Sequence, residues 1–446
     1  MSIAQNPATA LLACGGLAVF ALLVTTLVRR PGIGIGLLMA GQFSLVLGDA
    51  GPPPLPVGGL NLTVPDVLAA AATLAVPVQL VVHPRARPSL QRRALWLLCA
   101  IALGSLLVGM AEHGLQAAAN DARTSFVYVL GPALYVVTAN PRRDLTGVVV
   151  RIWTAAAVGY VLVAVVWWSQ YGVGSSSSAV VIDGQVVGGR GIPAVAAFIV
   201  AQAAVMLLVV RATRLRVLLV AGPLLLSVLL LQHRSVWAAV VAMAGGWLLL
   251  RPGGGLRKAI AGGAIAVAGT AAVITMAGQP AGGLGADLAE SASNASTWEW
   301  RVTGWLQLVD RLEGVGDWLL GLPFGSGYER LMGDVVTEVH PHSFYVLMLL
   351  RVGLLGLALL SVTVLASLRG CGRTSSTGLL LWLLVAGETA YWITYEPTMP
   401  DGLLLGLLVR YSSRIPGGPS LPVPKTREAR PGAVTPVAAT PPTTVE

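Results

Sequence analysis

The sequence predicts an all-α fold: a polytopic integral membrane helix bundle of about 12 transmembrane helices, or about 13 if a short last segment counts. Three observations predict it. Of 446 residues, 55% are hydrophobic and only 11% charged, whereas soluble domains carry about 25% charge. The mean hydropathy is +0.75. The apolar residues fall in runs, each near the roughly 20 residues a bilayer crossing needs, and arginines mark every second gap between them.

The first run, 8–28, has no basic stretch before it and ends at Arg29 and Arg30, so it reads as a retained span and not a cleaved signal peptide. Runs at 33–48 and 62–82 follow. Arg85, Arg87, Arg92 and Arg93 then precede 94–110, and Arg142 and Arg143 separate 124–139 from 146–168. Arg211, Arg214 and Arg216 lie between 191–210 and 217–232. Arg251, Arg257 and Lys258 lie between 235–250 and 259–277, and Arg369 and Arg373 between 343–367 and 378–395. A final run at 402–410 is short for a crossing.

Basic residues in short loops stay cytoplasmic. That rule puts 84–93, 211–216 and 251–258 inside, and the N-terminus, 49–61, 111–123, 169–190, 232–235, 278–342 and 396–401 outside. Residues 1–412 then form one transmembrane domain with a large extracytoplasmic loop, 278–342. Residues 413–446, dominated by Pro, Thr, Gly and Ala, read as a disordered cytoplasmic tail, and the run Ser175 to Ser178 as a flexible connector. The net charge of +9 sits mostly in the inner loops, and no nucleic-acid partner is expected. Cys14, Cys99 and Cys371 lie in or beside separate apolar runs and indicate neither a disulfide framework nor a metal site.

Arginines left on the outer side need a reason, and there are few: Arg123, Arg190, Arg234, Arg301, Arg311 and Arg330. Gln232-His233-Arg234-Ser235 is the whole connection between two apolar runs, which holds Arg234 at membrane depth. An ionisable group there is costly and functional by default; the competing reading is an arginine snorkelling to headgroups. Trp305, Leu308, Val309 and Leu312 recur at helical spacing, and Trp298, Trp300 and Trp305 suit a lipid–water interface. An interfacial helix carrying Arg301 at its start follows, against the alternative of a surface cover with Arg301 solvated. Gly325 and Gly327 in Leu322 to Tyr328 permit a turn whose N–H groups face an anion, or an ordinary loop. His340 and His342 flank Pro341 just before the 343–367 run. A metal site needs three or four ligands and no further ligand motif accompanies them, so no metal or cofactor is expected; a histidine at a helix mouth suits proton transfer near neutral pH.

These residues resemble the signature of the O-antigen ligase and O-antigen polymerase superfamily. His342-Ser343 followed by Gly353-Leu354-Leu355-Gly356 is similar to its His-Asn pair and later Gly-x-x-Gly. His233-Arg234-Ser235-Val236-Trp237 resembles its arginine motif before a span. Arg301-x-x-x-Trp305, the Pro323 to Gly327 turn, and Gly59-Leu60-Asn61-Leu62 with Asp66 are similar to other segments. Ser343 stands where Asn is usual, and Arg351 where an acid is often found.

The resemblance implies a metal-independent, inverting glycosyltransferase of the bacterial cytoplasmic membrane. It would move a glycan from an undecaprenyl-pyrophosphate donor to an acceptor hydroxyl on the outer face, as a ligase or a polymerase. Arg234 and Arg301 would bind the donor pyrophosphate bidentately, and His342 would be the general base. In a second assignment His342 binds pyrophosphate as imidazolium and Glu299 or Glu338 is the base. Arg190, Glu299, Glu338, His340, Gly325 and Gly327 are the accessory candidates. A transporter or flippase for a lipid-linked sugar is the alternative function; it predicts ionisable residues midway along several spans, of which Glu388 is the clearest.

Overall fold

Every apolar run that falls within the described residues is helical, because no other structure lets a run of apolar residues satisfy its own backbone without water. The computed structural model describes residues 7–413 apart from 58–59, 85–87, 141–142, 174–178, 183–184, 189, 211–213, 251–295 and 333. The expected run 259–277, the first part of the 278–342 loop, Ser175 to Ser178, the arginines at 85, 87, 142, 211, 251 and 257, Lys258 and the tail from Arg414 lie outside the described residues.

In chain order the helices are α1 (Pro7–Arg29), α2 (Pro31–Ser44), α3 (Val64–Val82), α4 (Leu90–His113), α5 (Leu115–Ala122), α6 (Tyr128–Thr138), α7 (Thr146–Tyr171) and α8 (Ala194–Val210). There follow α9 (Arg214–Leu230), α10 (Arg234–Leu250), α11 (Ser296–Val309), α12 (Val315–Leu320), α13 (Phe344–Gly370), α14 (Ser376–Tyr391) and α15 (Met399–Ser412). Short antiparallel hairpins, β1 (Leu55–Val57) with β2 (Leu60–Leu62), β3 (Ala179–Ile182) with β4 (Gln185–Gly188), and β5 (Arg330–Met332) with β6 (Val335–Thr337), decorate the connections.

The protein is a helical bundle, and among the described helices α3, α4, α7 and α13 are each long and apolar enough to cross a membrane. Their outward faces carry exposed Val81, Leu97, Leu103, Leu107, Leu162 and Val166. Contiguous apolar surface of this kind marks a face covered by lipid or by protein.

The short run 402–410 belongs to the most enclosed helix. All residues of α15 from Met399 to Arg410 are buried, and it lies against α6, where a Cβ on Gly402 or Gly406 would fall 2.3 Å from the Val129 carbonyl oxygen or 2.5 Å from that of Ala133. Glycines there let two backbones touch. At about 21 Å the helix is shorter than the roughly 30 Å hydrocarbon layer; protein, not lipid, surrounds it. Asp401 accepts from the Thr398 N–H and hydroxyl at its start. At its end Arg410 donates to the carbonyls of Val136, Ala139, Asn140 and Arg143, closing the C-terminus of α6 with a cation, as the helix dipole favours.

The expected span 343–367 is two helical pieces. Gly353 has φ +63° and ψ −168°, a conformation open to glycine, and a Cβ there would lie 2.3 Å from the Leu319 carbonyl oxygen. The break frees the Leu350 carbonyl, which accepts the Leu322 N–H at 2.6 Å, so α12 and the following turn dock on α13 through backbone. His342, expected at the mouth of this helix, stands just outside it. The N-cap is Ser343, the helix begins at Phe344, and His342 precedes both with φ +51°.

Side-chain contacts sort the connections to two ends of the bundle. At one end Tyr135 reaches the Leu27 and Pro31 carbonyls, Gln91 reaches Ser412, and Arg410 reaches 139–143. At the other, Ser125 meets Glu396, Ser235 meets Thr394, and Trp305 meets Pro341.

Candidate functional site

The second of these ends gathers most of the arginines expected on the outer side, together with His340 and His342. Its frame is a buried ion pair. Arg351 Nη2 lies 2.8 Å from Asp121 Oδ2 with both side chains almost wholly buried. Asp121 also accepts the Gly325 N–H at 2.7 Å and the Tyr328 hydroxyl, while Arg351 donates to the Gly327 carbonyl and the Ser326 hydroxyl. Arg311 donates to the Ser326 and Gly327 carbonyls at 2.8 and 3.0 Å. The Pro323 to Gly327 turn is therefore a clamped structural loop: the Gly325 N–H already has an acceptor, and Gly325 and Gly327 take φ of +91° and +76°.

Above this frame sits the histidine segment. α11 carries Trp305, whose indole N–H donates to the Pro341 carbonyl, and Arg330 donates to the Val339 and Tyr328 carbonyls. His340 is held on two sides while its side chain stays about one-third exposed. Its ring lies 4.7 Å from that of Tyr328, and its Nδ1–H donates to both oxygens of Glu396 at 3.1 Å. Glu396 also accepts the Ser125 hydroxyl at 2.6 Å. Ser125 comes from a π-helical turn, Arg123–Val127, a local widening that recurs at functional sites.

The two histidines are tuned apart. Burial pulls the His340 imidazole down, but the hydrogen bond and charge of Glu396 and the charge of Asp121 outweigh it and raise the pKa above the ordinary value. For His342 burial again lowers the pKa; Glu396 opposes this, Arg301, His340 and Arg330 reinforce it, and the net shift is downward. Burial pushes the Glu396 carboxyl up, yet the hydrogen bond and charge of His340, the Ser125 hydroxyl and the charge of His342 hold it below the usual range. His342 is half-buried, and among the described residues its ring makes no hydrogen bond.

Arg301 and Arg190 are grouped about Tyr395, and Arg234 about Arg190. The Arg301 guanidinium stands 5.4 Å from the Tyr395 ring centroid, and Tyr395 stacks on Tyr391 at 5.0 Å, itself stacked on Phe198 at 4.3 Å. Arg190 Nη1 donates to His233 Nδ1 at 3.2 Å, and His233 Nε2–H donates to the Ile192 carbonyl at 3.0 Å. Burial first, then the Arg190 charge, outweigh the Ile192 bond and lower His233 to about 4, so it is a neutral spacer with a fixed tautomer. Burial, opposed by Tyr395 and aided by the charge of Arg234, draws Arg190 below its ordinary value. Arg234 opens α10 next to Ser235, whose hydroxyl meets that of Thr394.

The structure thus brings together Arg190, Arg234, Arg301, His340 and His342. Glu299 and Glu338 are exposed, and no contact ties them to the histidines. The carboxylate beside the histidines is Glu396, which sequence reading passed over with Tyr395 as part of an ordinary connection; its signal is an acid and an aromatic adjoining just after an apolar run. Among the described residues the non-glycine positions in left-handed backbone are Gln232 and His342, one beside His233 and Arg234 and one within the histidine pair. Backbone strain clusters at functional sites. Among the described residues no group of three or more His, Cys, Asp or Glu is arranged to hold a metal. No family model matches the chain, and no curated protein matches it.

Proposed function

We propose that the protein is a membrane glycosyltransferase that moves a glycan from a polyprenyl-pyrophosphate carrier to an acceptor hydroxyl, working at the outer face of the bacterial cytoplasmic membrane. The observation that carries this reading is one cluster: Arg301 stands over the Tyr395 ring, Arg190 feels the charges of Tyr395 and Arg234, and His342, its pKa lowered, feels that of Arg301. A pyrophosphate leaving group develops concentrated negative charge, and arginine forks neutralise it bidentately. Preorganised donors of this kind are worth a factor of about 10²–10³ each.

In the proposed step, His342 takes the acceptor's proton as the hydroxyl oxygen attacks the anomeric carbon from the face opposite the leaving group, which inverts that centre. A neutral imidazole suits this role, and the downward shift of His342 keeps it neutral at pH 7. The assignment of Glu299 or Glu338 as base has less support, since both side chains are exposed. The outer placement rests on the arginine pattern, since the gathered site lies at the end opposite Arg29, Arg143 and Arg369.

Purified protein supplied with a defined undecaprenyl-pyrophosphate glycan and a hydroxyl acceptor should release carrier and form a longer or conjugated glycan. Absence of transfer under conditions where the donor binds would overturn the reading. For sidedness, single cysteines at Thr303 and Thr374, in a variant lacking Cys14, Cys99 and Cys371, should label from opposite sides with an impermeant thiol reagent. Labelling of both from one side would refute the topology.

A further inference from the structure

The His340–Glu396 pair is built with more care than a loop contact needs. Both Glu396 oxygens lie 3.1 Å from His340 Nδ1, one of them also accepts the Ser125 hydroxyl, and the imidazole ring is held against Tyr328. The Tyr328 hydroxyl is in turn fixed by Asp121 and donated to by Arg351. Four separate parts of the chain, the π-helical turn, the 322–328 turn, the histidine segment and the loop after α14, are needed to hold one ring in one orientation. With Nδ1 engaged, the remaining ring nitrogen, Nε2, makes no hydrogen bond among the described residues. The side chain is about one-third exposed, at 32%, and its charge is felt at His342.

We propose that His340, oriented by Glu396 and Ser125, is the acid of this site: its Nε2–H donates to the leaving phosphate oxygen while His342 receives the acceptor's proton. This rests on the reading of the protein as a pyrophosphate-dependent glycosyltransferase. In the step, the bond between the anomeric carbon and the phosphate oxygen breaks with its electron pair going to that oxygen, which takes the His340 proton. The acceptor oxygen forms the new bond to the anomeric carbon, and its proton goes to His342 Nε2 or Nδ1. Both histidines return to their starting states by exchange with water. The groups that face His340 divide accordingly: Glu396 and Asp121 favour its protonated form, Arg351 opposes it, and Arg301 and Arg330 act on His342. Paired titratable groups whose surroundings push them in opposite directions are the usual mark of an acid and a base sharing one reaction.

The test is the pH–rate profile of the full-length protein with an undecaprenyl-pyrophosphate glycan. The wild type should give a bell: an acid limb from His342 and an alkaline limb from His340. His340→Gln, which keeps a donor to Glu396 but carries no proton to give, should lower kcat by roughly 10²-fold and abolish the alkaline limb while leaving the acid limb. Glu396→Gln should move the alkaline limb to lower pH, and it serves as the second variant should His340→Gln fail to fold. An alkaline limb unmoved in either variant would refute the role of His340 with the transferase reading intact. Failure of the wild type to transfer at any pH would refute that reading and this proposal together. Binding of undecaprenyl pyrophosphate, measured alongside, should persist in both variants.

Discussion

Two groups of arginines sit at the same end of the bundle and are treated differently. Arg311, Arg330 and Arg351 donate to backbone carbonyls of the 323–339 segment, and Arg351 adds a buried carboxylate. Arg190 and Arg301 meet a neutral histidine and an aromatic face, and neither forms an ion pair with a carboxylate among the described residues. A buried carboxylate balances Arg351, and backbone carbonyls hold Arg311 and Arg330, so the first group reads as scaffold. Rings flank both groups, Tyr328 beside Arg351 and Trp300 beside Arg330 as Tyr395 is beside Arg301. What distinguishes the second is that neither guanidinium meets a carbonyl or carboxylate acceptor among the described residues, which the proposed pyrophosphate would supply.

The comparison breaks first at His342. His342→Ala should reduce turnover by about 10²–10⁴-fold with carrier binding retained, and a smaller loss would remove the base from the site. Because the His342 pKa is lowered, the imidazole stays neutral until the pH falls below the ordinary value of about 6.5. The acid limb of the wild-type rate should therefore lie below that pH; a limb above it would contradict the environment described.

Asp121→Asn tests the scaffold half. It leaves the Arg351 guanidinium buried without its counter-charge, a change that costs about 3–5 kcal/mol, and thermal unfolding in detergent should show it as a clear loss of stability. Stability equal to wild type would mean the pair is not what holds the 323–327 turn. Arg301→Lys should sharpen the contrast from the other side: about a tenfold or greater loss of transfer, since an ammonium reproduces neither the fork nor the stacking, with the melting temperature nearly unchanged. At the small end, Glu299→Gln and Glu338→Gln should each stay within about twofold of wild-type turnover; a hundredfold loss in either would restore that residue as the base.

The sequence shows the helices readily, because a run of apolar residues bounded by arginines has few other structures open to it. It also offers the arginines as candidates, as exceptions to the expected charge topology, whereas His342 is singled out from His340 by its spacing to Gly353 in the resemblance. What it hides are contacts made by folding. Glu396 gains its role from Ser125 and His340, 271 and 56 residues away. The enclosure of α15 depends on Gly402 and Gly406 meeting α6; their Gly-x-x-x-Gly spacing announces a close helix contact but does not name the partner. The break at Gly353 looks like any glycine within an apolar run until Leu319 is seen against it.

That break fixes a length. The helical piece from Phe344 to Val352 runs between the backbone contact at Gly353 and the left-handed residue His342. One residue added or removed within it would turn the histidine by about 100° around the helix axis, away from Glu396 and Arg301. The interval between His342 and Gly353 therefore acts as a ruler whose zero is a protein contact, so its length answers to where His342 stands relative to Glu396 and Arg301 and not to the thickness of the bilayer.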